Sequence, residues 1–271
     1  MGNIFILAAV IMDLRLHKPM YFFLGILAAL DIVYTTTTIP KTLALLLNND
    51  NTISFIACFT QMCILHIVGL FECLLLLVMA YDRYVAICSP LHYTSIMNNK
   101  FNIQIIVICF LSSSITIVSS SVFTAHFPYN GPNKINHRYC DHFFLSRLAC
   151  TDITPLSILV MCILVIFVLT PFLLVILSYI NIIKMILKIN SAAGRWKTFS
   201  TCSSHIMVVF IYYLSLFINY SMYTVDTYSE NIHVIGSIFS TILAPALNPL
   251  IYTLRNKDIQ EAVKTFIKVI L

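Results

Sequence analysis

Charge is what this 271-residue sequence has least of: Asp, Glu, Lys and Arg make up 10% of it, against 59% hydrophobic residues. Soluble domains average about 25% charged residues, and a soluble chain of this size needs far more polar surface to stay dispersed. The shortage excludes an ordinary water-soluble globule and makes the lipid bilayer the simpler solvent. The nine cysteines include no C-x-x-C pair, which argues against zinc ribbons and thioredoxin-like redox sites. There is no basic stripe either. The net charge of +5 comes from residues spread thinly between apolar blocks, so nucleic acid is not an expected partner. The sequence also lacks internal repeats, low-complexity tracts and any sign of a second domain.

What it does contain is a series of long apolar runs. A spanning helix needs about 20 mostly apolar residues. Six segments qualify: 19–40, interrupted by Asp31; 51–80, interrupted by Glu72; and 101–127, 153–183, 198–225 and 231–254, with no charge at all. Residues 1–12 are apolar but short. At 1.5 Å per residue they reach about 18 Å, against a hydrocarbon core of about 30 Å. They carry no basic leader and no small-residue cleavage site, so they read as a spanning helix lacking its first half and not as a signal peptide. The expected architecture is all-α, a single seven-transmembrane helix bundle over 1–271 with a truncated first helix. Its spans fall at about 1–14, 19–47, 52–88, 101–126, 153–188, 198–224 and 231–252.

Orientation follows from where the positive charges fall. Lys41, Lys134, Arg138 and Arg147 lie on one side of the bundle, and the other twelve of the sixteen basic residues lie on the opposite side, with the end of the first segment. The richer side is the cytoplasm, which puts the N-terminus outside and the C-terminus inside. The polar stretch 128–154 is the long connection and faces outward. Beyond Tyr252, Ile259, Val263, Phe266, Ile267 and Ile270 recur at helical spacing opposite Lys257, Glu261, Lys264 and Lys268. That pattern predicts an amphipathic helix at about 256–270, lying on the inner leaflet.

Within "LLLLVMAYDRYVAICSP" (74–90) an acid and a base stand side by side, although a charge in hydrocarbon is costly. Asp82, Arg83 and Tyr84 fall at the cytoplasmic end of the third span, where Arg83 can snorkel and Asp82 can hold it. On residues alone two readings stay open, a plain interfacial anchor and a switch, because a buried Asp–Arg pair is weak evidence for stability. Asp31 and Glu72 sit near mid-span, where an ionisable residue marks function by default, and Asn248 can face the same region. Two carboxylates and a carboxamide suit a hydrated cation held by hard oxygens. A protonated, hydrogen-bonded polar core is the alternative. Pro171, Pro245 and Pro249 lie inside spans, each removing an intrahelical hydrogen bond and permitting a kink.

"MAYDRYVAIC" (79–88) followed by "PLHY" (90–93) resembles the signature of the olfactory receptors, a large branch of the rhodopsin-like G-protein-coupled receptors. "LHKPMYFFL" (16–24), "CDHFFLSRLACTD" (140–152), "KTFSTCSSH" (197–205) and "PALNPLIYTLRNKD" (245–258) resemble further segments of that family, in its order and at its spacing. One ten-residue match can arise by chance; five in register make the resemblance specific.

The resemblance implies an odorant-activated receptor of the plasma membrane that catalyses no covalent chemistry. Ligand binding would shift a two-state equilibrium and activate a stimulatory olfactory-type heterotrimeric G protein, raising cyclic AMP. It also implies a Cys58–Cys140 disulfide pinning the outer loop across the ligand entrance. Asp31, Glu72 and Asn248 match a sodium pocket linked to the inactive state, and no other cofactor is implied. Asn248 and Pro249 with Tyr252 match the hinge of the seventh helix. Asp82 would hold Arg83 in the inactive state and release it toward Tyr179 and the G protein in the active one.

The implied ligand is small, volatile and mostly apolar, held in an apolar pocket with a few polar groups. Counting turns outward from the motifs places His66, Gly69 and Leu70 of the third helix on the pocket wall. Ile163, Leu164 and Phe167 join from the fifth, Tyr213, Leu216 and Tyr220 from the sixth, and Ile238 and Thr241 from the seventh. No charged residue stands among these positions, which argues against amine or carboxylate ligands held by a salt bridge.

The sequence departs from the family in several places. The family's outer tail and complete first helix have no counterpart, so the chain is expected to be N-terminally truncated, and a non-signalling remnant is the alternative function. Where the family usually has another loop cysteine, "YNGPN" offers Asn130, leaving Cys150 without its expected partner. Tyr212-Tyr213-Leu214 replaces the family's "FYG". A transporter would show repeats or broken helices in matching halves, and none is seen. An intramembrane hydrolase needs a nucleophile and a base on one face, whereas His66 and Glu72 lie about 600° apart around a helix.

Overall fold

The computed structural model describes residues 1–48, 52–129, 134–135, 139–224 and 239–270. They form α1 (Gly2–Met12), α2 (Pro19–Asn48), α3 (Phe55–Cys88), α4 (Asn99–Ala125), α5 (Thr154–Leu187), α6 (Ala192–Thr224), α7 (Phe239–Leu243 continued by Ala244–Arg255) and α8 (Lys257–Ile270). No strand occurs among the described residues. Of these helices, α2 to α6 are long and apolar enough to cross a membrane. The first part of the span expected at 231–252 lies outside the described residues, as does Asn130.

Helix starts are written locally. Ser54 Oγ accepts from the Ala57 N–H at 3.3 Å and Asn98 Oδ1 from the Phe101 N–H at 2.9 Å, satisfying first-turn donors that have no partner inside the helix. Asn256 separates α7 from α8 with an extended backbone (φ −116°, ψ 108°). Its Oδ1 accepts from the N–H groups of Asp258 and Ile259, which opens α8. Within α2, the hydroxyls of Thr35, Thr36, Thr37 and Thr38 donate to the carbonyls four residues earlier at 2.7–3.0 Å. Four threonines in a row thereby cross an apolar layer with every hydroxyl donor satisfied.

The central post is α3. It packs against α2, α4, α5 and α6, and Leu75, Leu76 and Ala80 along it are wholly buried. On the other side, α1 packs against α2, α7 and α8. Two glycines permit that fit. A Cβ on Gly2 would meet the Pro249 ring at 2.9 Å, and one on Gly25 would meet Val10 at 3.2 Å. The outward faces carry exposed Ile103, Ile115, Ile158, Leu177, Phe210 and Phe217, an apolar surface that hydrocarbon covers and water does not.

Pro171 and Pro245 act through the turn before them. The backbone widens to a π-helix over Val165–Leu169, two residues ahead of Pro171, and again over Phe239–Leu243, two residues ahead of Pro245. A proline donates no hydrogen bond and its ring crowds the preceding turn; the wider turn relieves both. The Val165 carbonyl accepts both from the Thr170 N–H and from the Thr170 hydroxyl, the latter at 2.9 Å.

The amphipathic α8 is tied to the start of the chain. Tyr21 donates to Asp258 Oδ2 at 2.8 Å, Arg15 reaches Glu261 at 3.6 Å, and Phe5 meets Phe266 edge-on at 6.3 Å. Ile259 and Ala262 are buried on its inner face.

Candidate functional site

A pinned loop lies over the outer end of the bundle. Cys58, in the first turn of α3, is bonded to Cys140, with 5.3 Å between their Cα atoms. Gln61, one turn further along α3, clamps the same point. Its Oε1 accepts from the Cys140 N–H at 3.0 Å, and its Nε2 donates to the Thr37 carbonyl of α2 at 2.9 Å. Cys150 carries a free, exposed thiol. The pin delivers Asp141 and a short helix, His142–Ser146, over the bundle interior. His142 Nε2 lies 3.2 Å from Thr124 Oγ1 of α4, and the His66 ring is 6.0 Å from the His142 ring.

Beneath this lid lies a cavity of about 470 Å³. Of the positions expected on its wall, His66, Gly69, Leu70, Ile163, Leu164 and Leu216 line it. Phe167, Tyr213 and Thr241 do not, and the reason is helical phase. On α6 the lining residues are Tyr212, Ser215, Leu216 and Asn219, so Tyr213 stands about 100° off that face and stacks its ring on Phe172 instead, with centroids 4.4 Å apart. On α5 the π turn carries the inward position on by one residue, and Val168 takes the place expected for Phe167. Thr241 falls within the second π turn and is buried away from the cavity, whose α7 wall is Ala244, Pro245 and Asn248. Ile238 and the side chain of Tyr220 lie outside the described residues.

Tyr212, Glu72, Asp141 and His142 complete the wall and were not expected there. Tyr212 donates to the Gly69 carbonyl and accepts from the Cys73 thiol, joining α6 to α3. Glu72 and Asp141 correct the expectation of a wall without charge. The signal for Tyr212 was present in its i+3, i+4 and i+7 partners. Asp141 and His142 reach the wall through the disulfide, which spacing along a helix cannot show.

At the floor the three expected polar residues converge. Asn248 Nδ2 donates to both oxygens of Asp31 at 3.2 and 3.0 Å. Glu72 lines the cavity alongside Asn248, and all three side chains are buried. Asn3 closes the group by donating to the Pro245 carbonyl at 3.0 Å. Among the described residues no group of three His, Cys, Asp or Glu side chains is placed to hold a metal ion. The donors that Asp31, Glu72 and Asn248 can offer are all oxygen, chemistry that suits a hard monovalent cation and not a transition metal.

The cytoplasmic end differs from the expected ion pair. Asp82 accepts from the Tyr93 hydroxyl at 2.7 Å, and among the described residues Asp82 and Arg83 form neither an ion pair nor a hydrogen bond. Neighbouring side chains on one helix point about 100° apart, so Asp82 is buried toward the short helix Tyr93–Ile96 while Arg83 is half-buried on another face. Tyr84 is half-buried against the core. Tyr179 is bonded to His205 of α6 at 2.6 Å, with the rings stacked. Tyr252 Oη and His205 Nε2 are buried without a hydrogen-bond partner. Arg83 lies within electrostatic reach of Tyr179, His205 and Tyr252. Pro249 packs against Gly2, and its carbonyl accepts from Thr253 at 2.6 Å.

This arrangement can bind a small molecule and relay its presence along the helices. Comparison with known proteins agrees. The crystal structure of squid rhodopsin matches with a TM-score of 0.79 at 16% identity, covering 100% of this chain and 81% of that one. At that identity the likeness concerns the fold alone. Olfactory receptor 2AT4 of Homo sapiens is 45% identical over 263 residues, 97% of this chain and 82% of its own length. Olfactory receptor 6N1 of Homo sapiens is 43% identical over 271 residues, 99% and 86% of the two chains. The family model described as olfactory receptor matches residues 1–269. By that match the chain belongs to the olfactory receptor family, multi-pass membrane receptors that sense odorants through G proteins and are not enzymes.

Proposed function

We propose that this chain is a single seven-span odorant receptor of the plasma membrane, N-terminal end outside and C-terminal end inside, coupled to a stimulatory olfactory-type heterotrimeric G protein. The observation that carries the reading is the cavity of about 470 Å³, overlain by a loop pinned by a disulfide and floored by Glu72 and Asn248. A ligand there touches α3, α5, α6 and α7 together, and it shifts an equilibrium by the difference in its contacts between two states. Asn248 and Pro249 below the cavity, with Asp82, Arg83, Tyr84, Tyr179 and Tyr252 toward the cytoplasmic end, are the switch. In the arrangement described, Tyr179 is held by His205 and Asp82 by Tyr93. Activation frees Tyr179 to meet Arg83 as the inner face opens toward the G protein.

Asp31, Glu72 and Asn248 would hold a sodium ion in the resting state, which would supply positive charge to offset the buried carboxyl groups. Sodium is then expected to raise the thermal unfolding midpoint of purified receptor, an effect that Glu72→Gln removes. No sodium effect on the parent protein would end that assignment. For the function itself, the chain is expressed with a stimulatory olfactory G protein and screened against odorants for cyclic AMP. A response is expected. Silence across a broad panel despite surface delivery would refute the reading, and so would an epitope near Arg195 exposed on intact cells.

A further inference from the structure

We infer that Gly69 sets how long a ligand the cavity accepts: its missing side chain leaves the opening through which a slender, mostly apolar molecule reaches from beneath the pinned loop to the floor at Glu72 and Asn248. This rests on the odorant-receptor reading and adds a specificity-determining residue.

The α3 wall of the cavity runs from Leu65 to Cys73, about 12 Å at 1.5 Å per residue. His66 stands toward its outer end, under the pinned loop, and Glu72 toward its inner end. Gly69 lies midway, and there the wall is bare backbone. A Cβ on Gly69 would meet Tyr212 Oη at 3.9 Å, an ordinary van der Waals distance, and no other described side chain within 4 Å, its chain neighbours apart. Gly2 and Gly25 differ. A Cβ on either would stand 2.9 Å from Pro249 or 3.2 Å from Val10, so close packing requires those glycines. Inside a helix glycine is less stable than alanine, and at Gly69 no packing contact calls for it. The room it leaves belongs to the cavity.

Tyr212 bounds that room from α6 and keeps it open. Its hydroxyl donates to the Gly69 carbonyl and accepts from the Cys73 thiol. The two bonds fix the phenol at both ends of one turn of α3, so its ring does not swing across to fill the space. Ile163 and Leu164 of α5 and Leu216 of α6 line the same cavity and offer a hydrocarbon chain apolar contacts. A side chain at 69 would pinch the cavity against Tyr212. The part near His66 would then be divided from the part beside Glu72 and Asn248. A methyl there takes the space of one ligand methylene, and one methylene gained or lost in an apolar pocket changes recognition about tenfold or more.

The test uses the full chain in cells with a stimulatory olfactory G protein, read by cyclic AMP. The probes are homologous series of unbranched alcohols, aldehydes and carboxylic acids, each from short chain to long. Gly69→Ala is expected to move the most potent member of an active series to a shorter chain. The longest active member should lose about tenfold in potency relative to the shortest. Gly69→Val is expected to go further in the same direction. The ratio is taken within one variant, so differences in expression cancel. Gly69→Ala also reports on the space without any ligand. The unfolding midpoint of the purified variant is expected to equal or exceed that of the parent, because alanine favours the helix and its methyl meets Tyr212 without a clash. A lower midpoint would show position 69 to be packed, and an unchanged length profile in both variants would show that ligands do not pass it. Either result overturns the inference and leaves the receptor reading standing. Silence of the surface-delivered parent to every compound overturns both.

Discussion

Asn248 is the main donor to buried Asp31, since both Asp31 oxygens accept from its Nδ2, with Asn3 beside it. Asn248→Leu keeps the volume and removes the donor. Leaving a buried carboxyl without its partner costs about 1–3 kcal/mol, read as a lower unfolding midpoint in detergent. A midpoint equal to that of the parent protein would mean that another group carries Asp31. His142 makes a pH-dependent contribution at the same scale. Burial lowers it from 6.5 to about 4, so between those values the unfolded chain binds a proton that the docked loop does not. Stability from this contact is therefore complete above about pH 6.5 and is lost as pH falls toward 4. His142→Gln keeps a donor for Thr124 and titrates nowhere in that window. Its unfolding midpoint is expected to fall less between those two pH values than that of the parent.

At the scale of the element, α8 shows which contacts matter. The Arg15–Glu261 pair is largely exposed on both sides, and solvent screens such pairs so that they contribute little. The Tyr21–Asp258 bond is shorter and part-buried. Tyr21→Phe is expected to speed amide exchange along α8, while Glu261→Gln leaves it near the parent rate. The reverse order would place the tether in the ion pair. Helical phase belongs to this scale too. Turn-counting reached His66, Gly69 and Leu70 on α3, a helix without proline, and it reached Ile163 and Leu164 ahead of the first π turn. It slipped at Phe167 and Thr241, inside the widened turns that precede Pro171 and Pro245. It slipped by one residue on α6, where Tyr212 and Tyr213 are chemically alike and composition cannot choose between them.

For the molecule as a whole, the Cys58–Cys140 bond closes an 82-residue separation and joins the lid to α3. Removing a disulfide of this kind costs about 2–5 kcal/mol. Cys58→Ser is expected to lower both surface delivery and odorant response, whereas Cys150→Ser, at a free and exposed thiol, leaves them unchanged. Equal effects of the two substitutions would mean that the lid is held by packing and the Gln61 clamp alone. The pairing was legible from the family resemblance. Its consequence, the delivery of Asp141 and His142 to the cavity, was not, because a loop's destination depends on what it packs against.

The sequence by itself determined the solvent, the all-helical class and the family, because scarce charge, long apolar runs and five motifs in register are local properties that survive without coordinates. Tertiary structure alone decided which face of each helix meets the cavity, which partner Asp82 takes, and that His66, Asp141 and His142 meet beneath the loop. Those outcomes depend on helix rotation and on groups far apart in the chain meeting at hydrogen-bond distance, where a shift of one residue changes the chemistry of the wall.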